Sequence, residues 1–486
     1  SRDDPVWWIK NYLGARLWEM QRRVARAVVD TKRTAVASCH GAGKSFISAR
    51  IVLHFLYNRS PSIVITAAPT ARQVEKILWK EIRVAHKRAI RPLGGEVLVK
   101  QLKLDDDWYA FGFASSDYDA DKWQGFHEKN ILIVVDEAAG VARPVFDGIE
   151  GALSAGYARL LLIGNPTNPN GGFHDAFNDP RCAKFYISAF DTPNFTTFGI
   201  TLPDIKSGRW RDKIDGPLPA PWLVTPEWVE ERLIAWGEDS PLFIAKVLGQ
   251  FPEDDQNALI ALALVVAAQE REIEKSIPHA LGLDVARQGD DDTICYERRG
   301  CVSRSLFESS KESTMQTTGR AVKALKDTGA DIIHVDGVGI GAGVVDRLNE
   351  LEKPVSEINF GSAPVKQKKD AKGNKSTEEF ANLKAQLYWN IRRRYEEGQM
   401  DIDPDDDELA AQATSVKWGL DSKGRIAIES KQKMKARGEK SPDAFEAQVY
   451  SFADDVLRAK ARSRGRIAPG ALDIGLGVDT PFAGQG

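Results

Sequence analysis

At 486 residues the chain is too long for one hydrophobic core and predicts two or three domains. Hydrophobic residues make up 42% and charged residues 28%, and the formal net charge is −3. This is a globular composition without a global basic field, so a nucleic-acid surface would have to be a local patch. No apolar run reaches about 18 residues and no leader is recognised, so an intracellular protein without membrane spans is expected. The four cysteines form no CxxC pair and the seven histidines show no metal-ligand spacing, which argues against a disulfide framework and a zinc site.

Taken in order, Trp18 to Val29 reads as a helix leading to a first strand, with Gln21 able to offer its amide to an adenine edge. After the apolar run Thr34 to Ala37 comes Ser38-Cys39-His40-Gly41-Ala42-Gly43-Lys44-Ser45, then a helical pattern from Phe46 to Tyr57. A strand, a loop of free backbone N–H groups and a helix start make an anion cradle. Within it Lys44 would reach the β/γ-phosphates and Ser45 would hold Mg²⁺. Ser38 stands where the P-loop pattern has glycine, which would put a residue less tolerant of positive φ at the first turn. An ordinary glycine-containing turn would look similar.

Ser62 to Thr70 is a second buried strand, followed by one amphipathic helix from Ala71 to about Lys87, and Gly94 to Phe113 alternates like short strands. Asn130 to Val135 is apolar on both faces and ends in Asp136-Glu137. Asp136 would hold Mg²⁺ and Glu137 would polarise the water attacking the γ-phosphate, unless the pair merely ends a strand as a polar turn. Arg159 to Gly164 is a further strand tipped by Asn165, a candidate for sensing the γ-phosphate or else an Asn-Pro turn. Segments 186–200 and 202–222 look irregular, and helical patterning resumes from Thr225 to Trp236 and from Pro241 to Val247.

In the second half, Asp284 sits inside an apolar strand where an ionised carboxylate needs a cation, and the loop Asp290 to Asp292 either adds a ligand or is a solvated turn. A helix from about Glu312 to Asp327 precedes a buried strand that carries Asp336. Ser441 is expected to cap a helix with Pro442 at its first position, which puts Asp443 and Glu446 on one face, where by this string alone either would be an N-terminal acid serving only the helix macrodipole. Two strand aspartates followed by a helix-borne acidic pair have the layout of a two-metal phosphodiesterase. Between them Lys366, Lys368, Lys369, Lys372 and Lys375 form a basic loop suited to phosphates or a solvated linker. The tail 461–486 is expected to be disordered.

From Trp18 to Leu457 the order of these strings resembles the large terminase subunit of tailed double-stranded DNA bacteriophages. The strings that carry the likeness are Gly43-Lys44-Ser45, Thr66 to Thr70, Gln124-Gly125-Phe126-His127, Val135-Asp136-Glu137-Ala138, Gly164-Asn165-Pro166, Gly249 to Pro252, Gly282-Leu283-Asp284, Val335-Asp336-Gly337 and Ser441-Pro442-Asp443. The resemblance implies an α/β chain: an ASCE-type, RecA-like P-loop ATPase domain over 1–252 with a lid at about 195–252, a linker over 253–276, and an RNase H-like, RuvC-like nuclease domain over 277–460. It implies ATP with Mg²⁺ in the first domain and two Mg²⁺ or Mn²⁺ in the second. Its partners would be double-stranded DNA, the portal protein and the small terminase subunit. The chain would be a homo-oligomeric ring when packaging and a monomer in isolation, in the host cytoplasm and docked transiently on the procapsid.

Carried over by position, Gln21 matches the adenine-reading glutamine and Ser38, Gly41, Gly43, Lys44 and Ser45 the P-loop. Asp136 and Glu137 match the acidic pair, and Asn165 the coupling position. Asp284, Asp336 and Asp443 match the nuclease ligands, with Asp291 and Glu446 in support. His40 occupies a position where an arginine would be welcome, and Arg143 and Arg159 are the candidates for an arginine finger, from the same or a neighbouring subunit. A helicase-like repair nuclease would need a second motor lobe, and a docking protein would bind neither ATP nor Mn²⁺.

Overall fold

The computed structural model describes residues 4–115, 129–154, 156–253, 255–286, 292–310, 312–365 and 379–457. The Gln124 to His127 string, Asp291, the five lysines from Lys366 to Lys375 and the tail lie outside the described residues.

Eight strands form the first sheet: β1 (Arg33–Ser38), β2 (Ile63–Ala68), β3 (Glu96–Val97), β4 (Gln101–Asp105), β5 (Trp108–Ala114), β6 (Asn130–Asp136), β7 (Tyr157–Gly164) and β8 (Cys182–Ile187), in the order β3-β4-β5-β2-β6-β7-β1-β8. From β5 to β8 every pairing is parallel, and β3 and β4 add an antiparallel edge. β6 runs apolar on both faces because both are covered. Ile131, Ile133 and Val135 pack with Ala35, Ala37, Ile63 and Ile65, while Leu132 and Val134 join Val36 and Val64 in the opposite layer. Since β7 separates β1 from β6, the tips bearing the loop and the acids stand about 10 Å apart, which leaves room for phosphates.

The second sheet holds β9 (His279–Asp284), β10 (Thr293–Arg299), β11 (Val302–Ser309), β12 (Ile332–Asp336) and β13 (Val355–Ile358), in the order β11-β10-β9-β12-β13. The first three are antiparallel, and β9, β12 and β13 are parallel. This is the mixed, RNase H-like arrangement. A hairpin of β14 (Trp418–Leu420) and β15 (Ile426–Ile428) precedes the helices Lys431–Ala436 and Asp443–Ser451.

Four local expectations change. The single helix from Ala71 opens as a π-helical turn, Gln73–Leu78, before the α-helix Trp79–Lys87. The segments read as irregular hold the short helices Pro193–Thr196, Leu202–Lys206 and Trp210–Lys213, the second closed by a Thr201/Asp204 capping box. Over 253–276 the apolar run is the helix Leu262–Glu270. The chain joins the second half already at Asn257, whose carbonyl accepts the Trp418 N–H at 2.9 Å, while the Leu259 N–H donates to Val416 O at 2.8 Å. Ser441 is no cap: the last helix starts at Asp443, and the Ser441 hydroxyl donates to the Asp443 carboxylate instead. No helix among the described residues is long and apolar enough to cross a membrane.

Candidate active sites

The loop between β1 and the helix Lys44–Asn58 takes left-handed backbone at Gly41 (φ +67°) and Gly43 (φ +81°). A Cβ at Gly43 would also stand 2.8 Å from Gln21 Nε2. The first position of the pattern needs no positive φ, so Ser38 ends β1 buried and without backbone strain, contrary to the expectation of a difficult turn.

Lys44 Nζ donates to Asn165 Oδ1 at 3.1 Å and Cys39 O at 3.3 Å, and lies 3.8 Å from Glu137 Oε1. The Ser45 hydroxyl donates to Asp136 Oδ2 at 3.1 Å, so the two groups meant for Mg²⁺ already meet. Burial, then the adjacent Glu137, raises the Asp136 carboxyl above its ordinary value. Asn165, at the tip of the intervening β7, donates through Nδ2 to Ser38 O at 2.7 Å, and its N–H donates to Glu137 Oε2 at 3.4 Å. It therefore touches the loop, Lys44 and Glu137 together. Glu137 itself has φ +48° and ψ +47°, a costly backbone for glutamate that aims its side chain across the tips of the strands.

Gln21 is buried at this loop, its Nε2 facing Gly43 O at 3.3 Å and Ala42 O at 3.4 Å. His40 serves packing: its ring stacks on Trp228 of the helix Pro226–Trp236 at 5.6 Å and 22°, and its backbone N–H donates to Lys246 O at 2.7 Å. Burial, with Lys44 and Lys246 nearby, lowers its pKa to about 4, so the ring is neutral and does not replace an arginine.

Arg159 lies near the start of β7, at the end of the sheet away from the loop, and donates to Val29 O at 2.9 and 3.0 Å. Its placement corrects the idea that it could serve its own nucleotide site. Arg143 opens the helix Arg143–Ala152, exposed and paired with Asp175, and does not enter the site either.

In the second centre, Asp284 ends β9, Asp336 ends β12, and Asp443 and Glu446 come from the first turn of the last helix. Carboxylate oxygens of Asp284, Asp443 and Glu446 lie within 4.8 Å of one another, all three residues buried. Gly282 makes this possible. A Cβ there would stand 2.1 Å from Ala447 O and 2.3 Å from Ser451 N, so the helix lies directly on β9. Gly282→Ala is therefore expected to destabilise the protein by about 3 kcal/mol and to abolish Mn²⁺ binding. Thermal unfolding and calorimetry check this.

Burial, reinforced by Glu446, Asp443 and Asp336, holds the Asp284 carboxyl well above its usual value, against Lys431. Asp336 is raised chiefly by burial and accepts the Val338 N–H at 3.1 Å. For Glu446 burial is outweighed by Lys384 and Lys431, and its carboxyl titrates below the ordinary value. Lys384 Nζ at 3.1 Å and the Tyr388 hydroxyl at 2.8 Å both donate to Glu446 Oε1.

Lys431, which the sequence did not single out, stands among the acids: its Nζ is 2.8 Å from Glu446, 3.0 Å from Asp443 and 3.7 Å from Asp284. No local motif announces it; the one available signal is that buried acids require a cation. An all-oxygen donor set of this kind suits Mg²⁺ or Mn²⁺, and the two ammonium groups of Lys431 and Lys384 do not balance the four carboxyls of Asp284, Asp336, Asp443 and Glu446. Lys431→Ala is expected to lower the melting temperature in EDTA and to tighten Mn²⁺ binding, because the ammonium competes with the ion for the same oxygens. Weakened Mn²⁺ binding would rule out competition.

A P-loop sheet joined to a mixed, RNase H-like sheet with clustered acids defines the class: a two-centre α/β chain with a candidate nucleotide site and a candidate metal site. By sequence the chain is similar to a phage terminase large subunit. It is 24% identical over 466 residues to a probable terminase large subunit of Enterobacteria phage P7, covering 90% of this chain and 87% of that protein. No family model matches. Among solved structures it is similar to the large terminase of a thermophilic bacteriophage (13% identity, 91% of this chain, 100% of that one, TM-score 0.39) and to that of bacteriophage HK97 (15%, 93%, 99%, 0.37). The nuclease domain of the large terminase subunit of bacterial virus Sf6, also solved with manganese, matches 40% of this chain and 96% of its own length (19%, 0.36).

Proposed function

We propose that this chain is the motor and nuclease of viral genome packaging, which hydrolyses ATP to move double-stranded DNA into a procapsid and cuts the concatemer. The observation that carries this is the union in one chain of the set Lys44, Ser45, Asp136, Glu137 and Asn165 with the set Asp284, Asp336, Asp443 and Glu446. In the first site Ser45 and Asp136 hold Mg²⁺, Lys44 leaves Glu137 for the β/γ-phosphates, and the freed Glu137 carboxylate accepts a proton from the attacking water. Asn165, bonded to both, reports the loss of the γ-phosphate to the loop. In the second site Asp284, Asp336, Asp443 and Glu446 would hold two Mg²⁺ or Mn²⁺ ions, whose chemistry would be to lower the pKa of a water and to neutralise charge on the leaving oxygen of the DNA backbone.

Double-stranded DNA is the shared substrate. The portal protein and small subunit are the proposed partners, and the host cytoplasm the proposed setting. Arg143, exposed beyond the catalytic turn, is the proposed finger for a neighbour in a homo-oligomeric ring. The five lysines from Lys366 to Lys375 and Asp291 keep their proposed roles toward DNA and metal. A helicase-like repair enzyme finds no support, since the second half carries the acid cluster in place of another nucleotide site. The test is plasmid incubated with protein and Mg²⁺ or Mn²⁺, with Asp284→Asn as control. Cutting by the wild type and not by the variant is expected; equal cutting by both removes the assignment.

A further inference from the structure

Glu270, the last residue of the helix Leu262–Glu270, is unused by the chemistry above, yet it faces the ATPase centre. A Cβ at Gly140 would stand 3.7 Å from Glu270 Oε2 and 2.8 Å from Pro69 Cγ, so Glu270 and Pro69 flank the turn Ala138–Gly140 that follows Glu137. Gln73 completes the wall. Its Oε1 accepts the N–H and hydroxyl of Thr70, each at 3.0 Å, and its side chain offers Glu270 a hydrogen bond. Burial, then the charge of Glu137, raises the Glu270 carboxyl to about 7, with Gln73 and Lys246 acting the other way.

The residues around Glu270 are tied to the other half of the molecule. The Ile402 N–H donates to Ala268 O at 3.1 Å, Gln269 Nε2 to Pro404 O at 3.3 Å, Arg271 to Met400 O at 2.6 Å, and the Ile273 N–H to Asp401 Oδ2 at 2.7 Å. Asp401 in turn is bound to Arg304 at 2.6 Å, and its carbonyl accepts the Ser303 N–H at 2.8 Å. Glu270 therefore stands on a segment whose backbone is fixed by the nuclease half, while its carboxyl lies against the catalytic turn of the ATPase.

We infer that Glu270 is a positioning residue for ATP hydrolysis, through which the nuclease half holds the strained turn carrying Glu137. The inference rests on the ATPase reading above. It adds that turnover, and not nucleotide binding, depends on this contact. Lys44, Ser45 and the loop glycines that would meet the phosphates lie outside it, and removing the Glu270 carboxyl frees only the turn.

The test uses the full chain and the variants Glu270→Ala and Glu270→Gln. Glu270→Ala is expected to lower kcat for ATP at least tenfold with KM and melting temperature unchanged. Glu270→Gln keeps the shape and a hydrogen-bonding partner for Gln73, and is expected to restore at least half of the wild-type kcat. Plasmid cutting with Mn²⁺ should be the same in all three proteins. Amide exchange in a peptide spanning 137–141 reads the positioning without turnover and is expected to quicken at least tenfold in Glu270→Ala. Unchanged exchange overturns the inference, as does a fall of kcat that Glu270→Gln shares in full. A wild type that binds no ATP overturns the ATPase reading itself, which separates the two failures.

Discussion

Glu137→Gln yields a protein that binds ATP like the wild type and hydrolyses it about 10²–10⁴-fold more slowly. The amide keeps the length and the left-handed backbone of Glu137 but cannot accept the proton of the attacking water. Binding survives because Lys44, Ser45 and the loop N–H groups are untouched; Lys44, no longer facing a negative charge 3.8 Å away, is freer to meet phosphate. Phosphate release and titration with a fluorescent ATP analogue separate the effects. A kcat within twofold of the wild type would move the base elsewhere, and lost binding would mean that Glu137 shapes the loop.

Asp336→Asn is the matching experiment on the nuclease, and no plasmid nicking is expected at any Mn²⁺ concentration that supports the wild type. Asp336 is chosen because it is the least buried of the four acids and accepts a backbone N–H that an asparagine oxygen can equally accept. The fold should therefore survive while one negative ligand is lost. ATP hydrolysis should stay within twofold of the wild type, since the nucleotide site draws on β1, β6 and β7 and the acid cluster on β9, β12 and the last helix. Cutting that persists would place the scissile phosphate away from β12.

What could be read beforehand followed from local pattern. Strands buried on both faces announce themselves as aliphatic runs, so the loop after β1 and the acids of β6, β9 and β12 were all found along with their strands. What escaped depends on residues brought together from far along the chain. His40 meets Trp228, Lys431 meets Asp284, and Glu270 meets Gly140; no periodicity links such partners. Ser38 looked like a flaw because the pattern counts glycines, whereas the backbone demands left-handed residues only at positions 41 and 43. Arg159 was misjudged for a simpler reason. On a parallel strand only residues at the C-terminal tip reach the ligand, and Arg159 stands five residues before Gly164.

The helix seated on Gly282 also has a consequence in time. Asp443 follows Asp284 by 159 residues, so at about 5–20 residues per second the ribosome needs roughly 8–30 s to supply the rest of the cluster. Until then β9 has an open flank and no two-metal centre can form, although the P-loop sheet, complete by Ile187, is already free to fold. A nascent or prematurely ended chain can therefore fold the nucleotide loop while the acid cluster of the proposed nuclease does not yet exist.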